Sequence, residues 1–233
     1  MRNLAARGAT AGAIAGLLSS AWSLVLVEPV LQQAIDLEEP GHGPVSRTAQ
    51  RLIGLPVGTI VVGISLGLLF ALAYRSLPQR TPPWPRSMGL ALSAFVALVL
   101  IPQMIYPANP PGVGSGDTIG DRTENYFLSL ALGALVVLGS YLALLHLTRR
   151  QVSASVRQCA VACGAVFVIG LGYAVLPSPE PVEAPATLVW QFRVLSLGAL
   201  AVLYAVLGAT FGVLSERAAR PITTRPSSVG LPL

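Results

Sequence analysis

Six long apolar runs divide this chain, at about 7–27, 53–74, 87–106, 126–147, 158–176 and 194–215. An α-helix rising about 1.5 Å per residue needs about 20 residues to cross roughly 30 Å of hydrocarbon, which is the length of these runs. No water is available in a bilayer core to satisfy backbone N–H and C=O groups, so a spanning segment closes its hydrogen bonds internally, as a helix or in a closed barrel. The runs are continuous, without the alternation of barrel strands, and therefore predict helices. Composition agrees: 53% of the 233 residues are hydrophobic, 11% are charged, and mean hydropathy is +0.68. An ordinary soluble domain carries about 25% charged residues.

The expected fold is therefore all-α and membrane-embedded, a bundle of about six transmembrane helices forming one domain over residues 1–217. The polar segments between runs are too short for an independent core. The tail 218–233, AARPITTRPSSVGLPL in its setting after Arg217, has the composition of a disordered segment. The first run is read as a membrane helix and not a cleaved signal, because it is longer than a signal's apolar stretch and no convincing small-residue cleavage site follows it.

All fifteen basic residues are arginine, and the net charge of +5 reflects their placement, not a nucleic-acid surface. Arg2, Arg7, Arg75, Arg80, Arg86, Arg149, Arg150, Arg157, Arg217, Arg220 and Arg225 all fall on one side of the six-helix topology. The positive-inside rule makes that side cytoplasmic, with both termini on it. Nine of the ten acids fall on the other side: Glu28, Asp36, Glu38, Glu39, Asp117, Asp121, Glu124, Glu180 and Glu183. Acids contribute little to topology, so this outward carboxylate face is the informative one, and it would raise the local concentration of cations.

Proline and arginine punctuate the outward connections. Outgoing runs reach Pro29, Pro107 and Pro177, which are expected to end them, and returning runs begin near Arg47 and Arg51, Arg122 and Arg193. The recurrence suggests three parallel hairpin repeats; generic interfacial punctuation explains it equally well. Glycines recur every four residues at Gly8, Gly12 and Gly16 in the first run, and as Gly54/Gly58 and Gly63/Gly67 in the second, predicting close helix contact.

Candidate metal ligands are Glu28, Glu38, His42, Asp117 and Asp121, which offer carboxylate and imidazole donors to a divalent cation; ordinary solvated loop acids are the competing reading. Glu28 stands out because it closes an apolar helix, where an ionised side chain is costly. Met104 near the mouth, and Cys159 with Cys163 on one helical face, read first as packing residues. GVGSGDTIG lacks the Lys-Ser/Thr of a phosphate-binding loop, and no nucleophile–histidine–acid order stands out, so neither nucleotide binding nor enzymatic activity is expected, and no permanently bound cofactor is.

Three segments carry a family resemblance: EPVLQQAIDLEE from residue 28, YPANPPGVGSGDTIGDRTENYFL from 106, and LVWQFRVLSLGALAVLYAVLGATFGVLSER from 188. In these the chain resembles the membrane family known as the probable cobalt transporter subunit CbtA. The resemblance implies Co²⁺ as transported ion, a role in supplying cobalamin biosynthesis from the bacterial cytoplasmic membrane, and a small one-helix, histidine-bearing partner, CbtB. It touches Glu28, Pro29 and Glu38, then Tyr106, Asn109, Pro110, Pro111, Thr118, Gly120 and Arg122, then Trp190, Phe192, Arg193 and Ser196. Arg51, Arg122 and Arg193 are expected to pair with the carboxylates, and Asn109, Pro110, Pro111 and Trp190 to shape the face. Family members often carry a His-rich first outward loop, whereas EEPGHGPVSR here keeps His42 alone. That departure points to ligands from a partner, with a homo-oligomer as a further option. A non-transporting scaffold that binds a protein, and a transporter of another cation, are the alternatives.

Overall fold

The computed structural model describes residues 2–37, 45–111, 119–179, 182 and 184–219, and the described residues contain helices and no strand. Six helices are long and apolar enough to cross a membrane: α1 (Asn3–Ile35), α2 (Arg47–Ser76), α3 (Pro83–Ile105), α4 (Gly120–Arg149), α5 (Ala154–Val175) and α6 (Ala186–Ala219). They confirm the helical membrane class and correct several expected ends, since four of the six extend well beyond the apolar run that signalled them. The expected tail lies almost wholly outside the described residues, although α6 itself continues to Ala219.

Pro29 does not end the first helix. It sits in the first turn of an α-helical stretch, Glu28–Ile35, that continues α1. A proline inside a helix lacks an N–H and clashes with the carbonyl four residues back. Here the chain widens into a π-helical turn, Ser23–Val27, immediately before the proline, and the Glu28 N–H bonds to Ser23 O five residues back. The same device recurs twice. A π turn at Gln50–Gly54 precedes Pro56, with the Leu55 N–H on Gln50 O, and one at Val96–Leu100 precedes Pro102, with the Ile101 N–H on Val96 O. Pro107 and Pro177 do follow helix ends, at Ile105 and Val175.

Turn chemistry sets the other limits. Ser46, in extended conformation, caps α2 by accepting the Ala49 N–H. Between α4 and α5, Val152 N–H bonds to Leu147 O and Gln151 N–H to Thr148 O, the paired bonds of a Schellman end, with Gln151 at φ 56° where glycine is usual.

The core forms where α1, α2, α3 and α6 meet. In lipid there is no hydrophobic drive between helices, so association relies on close packing and interhelical hydrogen bonds. The glycine pattern supplies the first. A Cβ on Gly8, Gly12 or Gly16 would strike the backbone carbonyls of Gly67, Gly63 and Thr59, so α1 and α2 touch backbone to backbone. The expected second pair on α2 is not used: a Cβ on Gly58 would meet nothing within 4 Å. Side chains supply hydrogen bonds, and three of them are received by α6. Ser19 Oγ donates to Ala199 O (2.9 Å), Trp22 Nε1 to Leu195 O (3.0 Å) and Ser87 Oγ to Gly208 O (2.7 Å). Phe211 fills the centre, edge-on to Phe70 at 5.2 Å and to Tyr74 at 4.9 Å between ring centroids.

The outer pair is looser. α4 meets α3 where Gly133 lies on the Ala97 backbone, and α5 rests on α4 with Leu132 against Gly172. The α1–α2 and α3–α4 hairpins thus pack as pairs, whereas α5 leans on α4 and α6 sits between α1 and α3.

Replacing Gly12 and Gly16 together by leucine is expected to remove the folded monomer, because overpacking costs about 1–3 kcal/mol per site even where atoms can shift, and here they are backbone. Thermal unfolding in detergent checks this, with Gly58→Leu expected to behave as wild type.

Candidate functional site

At the acidic end of the bundle, the first structural fact is an ion pair. The π turn and Pro29 bring Glu28 to face the start of α2, where Arg47 Nη2 donates to its Oε1 at 2.6 Å. The Glu28 side chain is 5% exposed and that of Arg47 31%, so the pair spans from protein interior to surface. Arg47 also reaches Gln32 Oε1 (3.3 Å) and Gln50 Oε1 (3.5 Å), and Gln32 Nε2 donates to Asp36 Oδ1 (2.8 Å). Glu28, Gln32 and Asp36 follow one another at four-residue spacing on one face of α1, and Arg47 ties that face to α2. The carboxylate partner is therefore Arg47 and not the expected Arg51, which lies exposed within the π turn Gln50–Gly54.

A second junction joins α3, α5 and α6. Arg193 Nη2 donates to Asn109 Oδ1 at 2.7 Å and its Nε to Ala108 O at 3.3 Å, so the segment after α3 is pinned to α6. Arg193 was expected to meet a carboxylate; among the bonds described it meets an amide and a carbonyl. Tyr106 Oη donates to Pro177 O at 2.6 Å, tying the outer ends of α3 and α5. Partial burial pushes the Tyr106 phenol above its ordinary value of 10.0.

The remaining expected residues distribute around these junctions. Pro110 is buried beside Asn109 and Pro111 is exposed. Asp121 is exposed in the first turn of α4, where a helix dipole favours an anion, and Arg122 beside it is half-buried. Trp190 is exposed at the outer end of α6, two residues before Phe192, which packs against Val30, Ala34 and Leu188. Glu38, His42, Asp117 and Thr118 lie outside the described residues. Among the described residues no three His, Cys, Asp or Glu side chains gather into a metal-sized group. Cys159 and Cys163 are free and exposed on α5, and Met104 is exposed on α3.

Arg47 and Gln32 are the participants that sequence reasoning missed. The signal was present in the four-residue step from Glu28 to Gln32 to Asp36, a polar face continuing out of an apolar helix.

The family model of the probable cobalt transporter subunit (CbtA) matches residues 1–216, nearly the whole chain and every element described above. The chain belongs to the CbtA family. No curated protein and no solved structure matches it. Within the family frame, the two junctions fall on segments that first suggested the kinship: Glu28 in EPVLQQAIDLEE, Tyr106 and Asn109 in YPANPP, Arg193 in LVWQFRV.

Breaking one half of a buried ion pair leaves an uncompensated charge, at a cost of about 3–5 kcal/mol when both partners are buried. Arg47→Ala is expected to destabilise by about the lower of those values, since Arg47 is partly exposed and water can reach the site. The double variant Glu28→Gln/Arg47→Gln should unfold at a higher temperature than Arg47→Ala, as followed by thermal melting in detergent.

Proposed function

We propose that this chain is the membrane permease subunit of a Co²⁺ uptake system in the bacterial cytoplasmic membrane, with both termini cytoplasmic, supplying cobalamin biosynthesis. The observation that carries the reading is the family match over residues 1–216 on a chain with six helices able to cross a membrane. The charge distribution supports the direction: eleven arginines on the side assigned to the cytoplasm, nine acids on the other.

In this reading the outward acids Glu28, Glu38, Asp117 and Asp121, with His42, gather the hydrated cation. Glu28 is held ready by Arg47, and an arriving Co²⁺ competes with the guanidinium for the carboxylate. That competition keeps the cation from being held too tightly to leave, as conduction requires. Discrimination comes from geometry and metal supply and not from raw affinity, because Co²⁺ binds N/O sites more weakly than Ni²⁺ or Cu²⁺. His42 is the outward histidine of this chain, so further imidazole ligands come from a small one-helix subunit of the CbtB kind, in keeping with the word subunit in the family's description. Lipid covers the outward apolar faces.

Cells lacking other cobalt importers provide the test. Uptake of radioactive cobalt is expected with the wild-type chain and its partner, to vanish on deletion, and to fall by about tenfold or more in Glu28→Ala and His42→Ala, the scale of loss when a ligand or its support is removed. Uptake unchanged by deletion would sink the transport reading in favour of a partner-binding scaffold. Transport of nickel or an organic cation in place of cobalt would change the cargo.

A further inference from the structure

At the arginine-rich end, opposite the acidic face, a pocket of about 450 Å³ opens between the start of α1, the end of α2, the α2–α3 connection, the start of α3 and the end of α6. Arg7, Arg75, Arg80 and Arg86 line it together with Tyr74 and Ser215, and no lining residue is acidic. Glu216 follows Ser215 in sequence and does not line the pocket. The positive-inside rule explains arginines in the connecting segments but gives no reason for four of them to converge on one concavity.

Two buried donors in this pocket lack partners. Arg86 lays its guanidinium over the Tyr74 ring, Cζ at 3.7 Å from the centroid, and its Nε is buried without a hydrogen-bond partner. Tyr74 in turn packs edge-on against Phe211, so the ring under the guanidinium is held in place. Ser215 is 3% exposed and its Oγ is likewise buried and unpartnered. On α2, Ser65 and Ser76 return their hydroxyls to Val61 O and Leu72 O four residues back, and Ser87 on α3 donates to Gly208 O; Ser215 has no such bond, and neither has Ser20 on α1, which does not line this pocket. A buried unpaired donor costs about 1–3 kcal/mol, more when charged, and such a group calls for an acceptor.

An acceptor for these groups is an oxyanion with several oxygens. A fixed, ring-stacked guanidinium, a hydroxyl on the pocket wall and further arginines around them match a phosphate group, which takes short charge-assisted bonds from arginine. We propose that this pocket binds a phosphate group at the cytoplasmic face, with Arg86 Nε and Ser215 Oγ donating from its floor and Arg7 and Arg80 closing over it. The phosphate is that of an anionic lipid headgroup or of a soluble phosphate; both offer the same oxygens, and the volume leaves room for what carries them. The site does not depend on which cation the chain moves.

The test uses the full chain. In neutral detergent, its thermal unfolding is followed with sodium phosphate against sodium chloride at matched ionic strength. In phosphatidylcholine nanodiscs with and without phosphatidylglycerol, retained phosphatidylglycerol is counted by native mass spectrometry. Stabilisation by phosphate beyond chloride supports the proposal with a soluble source, and selective retention of phosphatidylglycerol supports it with a lipid source. Loss of one charge-assisted bond is expected to weaken either interaction by about tenfold in Arg86→Gln, with smaller losses in Ser215→Ala and Arg80→Gln. Neither phosphate nor phosphatidylglycerol acting on the wild type overturns it. So does an effect retained in full by Ser215→Ala and Arg80→Gln, which decide the matter if Arg86→Gln fails to fold.

Discussion

Helices surrounded by hydrocarbon gain nothing from hiding leucine against leucine, and that constraint governs how this bundle is assembled. What holds α1 to α2 is the absence of side chains: three positions on one helix meet carbonyls of the other, so dispersion contacts form along the whole seam. With that pair in direct contact, their shared outer surface presents Ala11, Ala15, Phe70, Ala71 and Tyr74 to α6, which brings Leu203, Leu207 and Phe211. α3 completes this centre with Ala91 and Val99.

Polar groups then give the assembly its register. Two side chains from α1 and one from α3 donate to main-chain carbonyls of α6, which already serve the helix ladder and have a second lone pair to offer. In a medium without competing water such bonds are specific, even where each contributes little. At the acidic end the same logic operates with charge. Arg47 joins α2 to α1 through Glu28, and Arg193 joins α6 to the segment after α3, so two of the three outward connections are held by a guanidinium, while the third is met at Pro177 by Tyr106.

Much of this was legible in the chain. Apolar length alone gave the six helices and their class, because the bilayer leaves so few alternatives, and Gly8, Gly12, Gly16, Gly63 and Gly67 announced their seam by spacing. Gly54 and Gly58 shared the spacing and misled: the row of α2 that meets α1 runs Thr59, Gly63, Gly67, and Gly58 stands one residue, about 100°, off it. Pro29 misled because proline's effect on a helix depends on whether an upstream turn can widen, and sequence does not disclose that. Arg51 was expected to meet the carboxylates, but Arg47 does; the choice depends on where the short capped turn after Ser46 gives way to the π turn. Ser19, Ser87 and Trp22 were passed over because a lone polar atom in an apolar run carries no periodic signal. At the other end, the arginines were read as markers of topology, which concealed that they share a pocket.

The three widened turns all lie in the half of the bundle nearer the acids, at Ser23–Val27, Gln50–Gly54 and Val96–Leu100, whereas the glycine seam occupies the half nearer the arginines. A widened turn interrupts the regular i→i−4 ladder, leaving carbonyls without their usual donors and bonds that can be redrawn by a shift of one residue. The two halves of the bundle are therefore joined differently: one meets backbone to backbone along the glycine seam, and the other, with its widened turns, is tied through side chains.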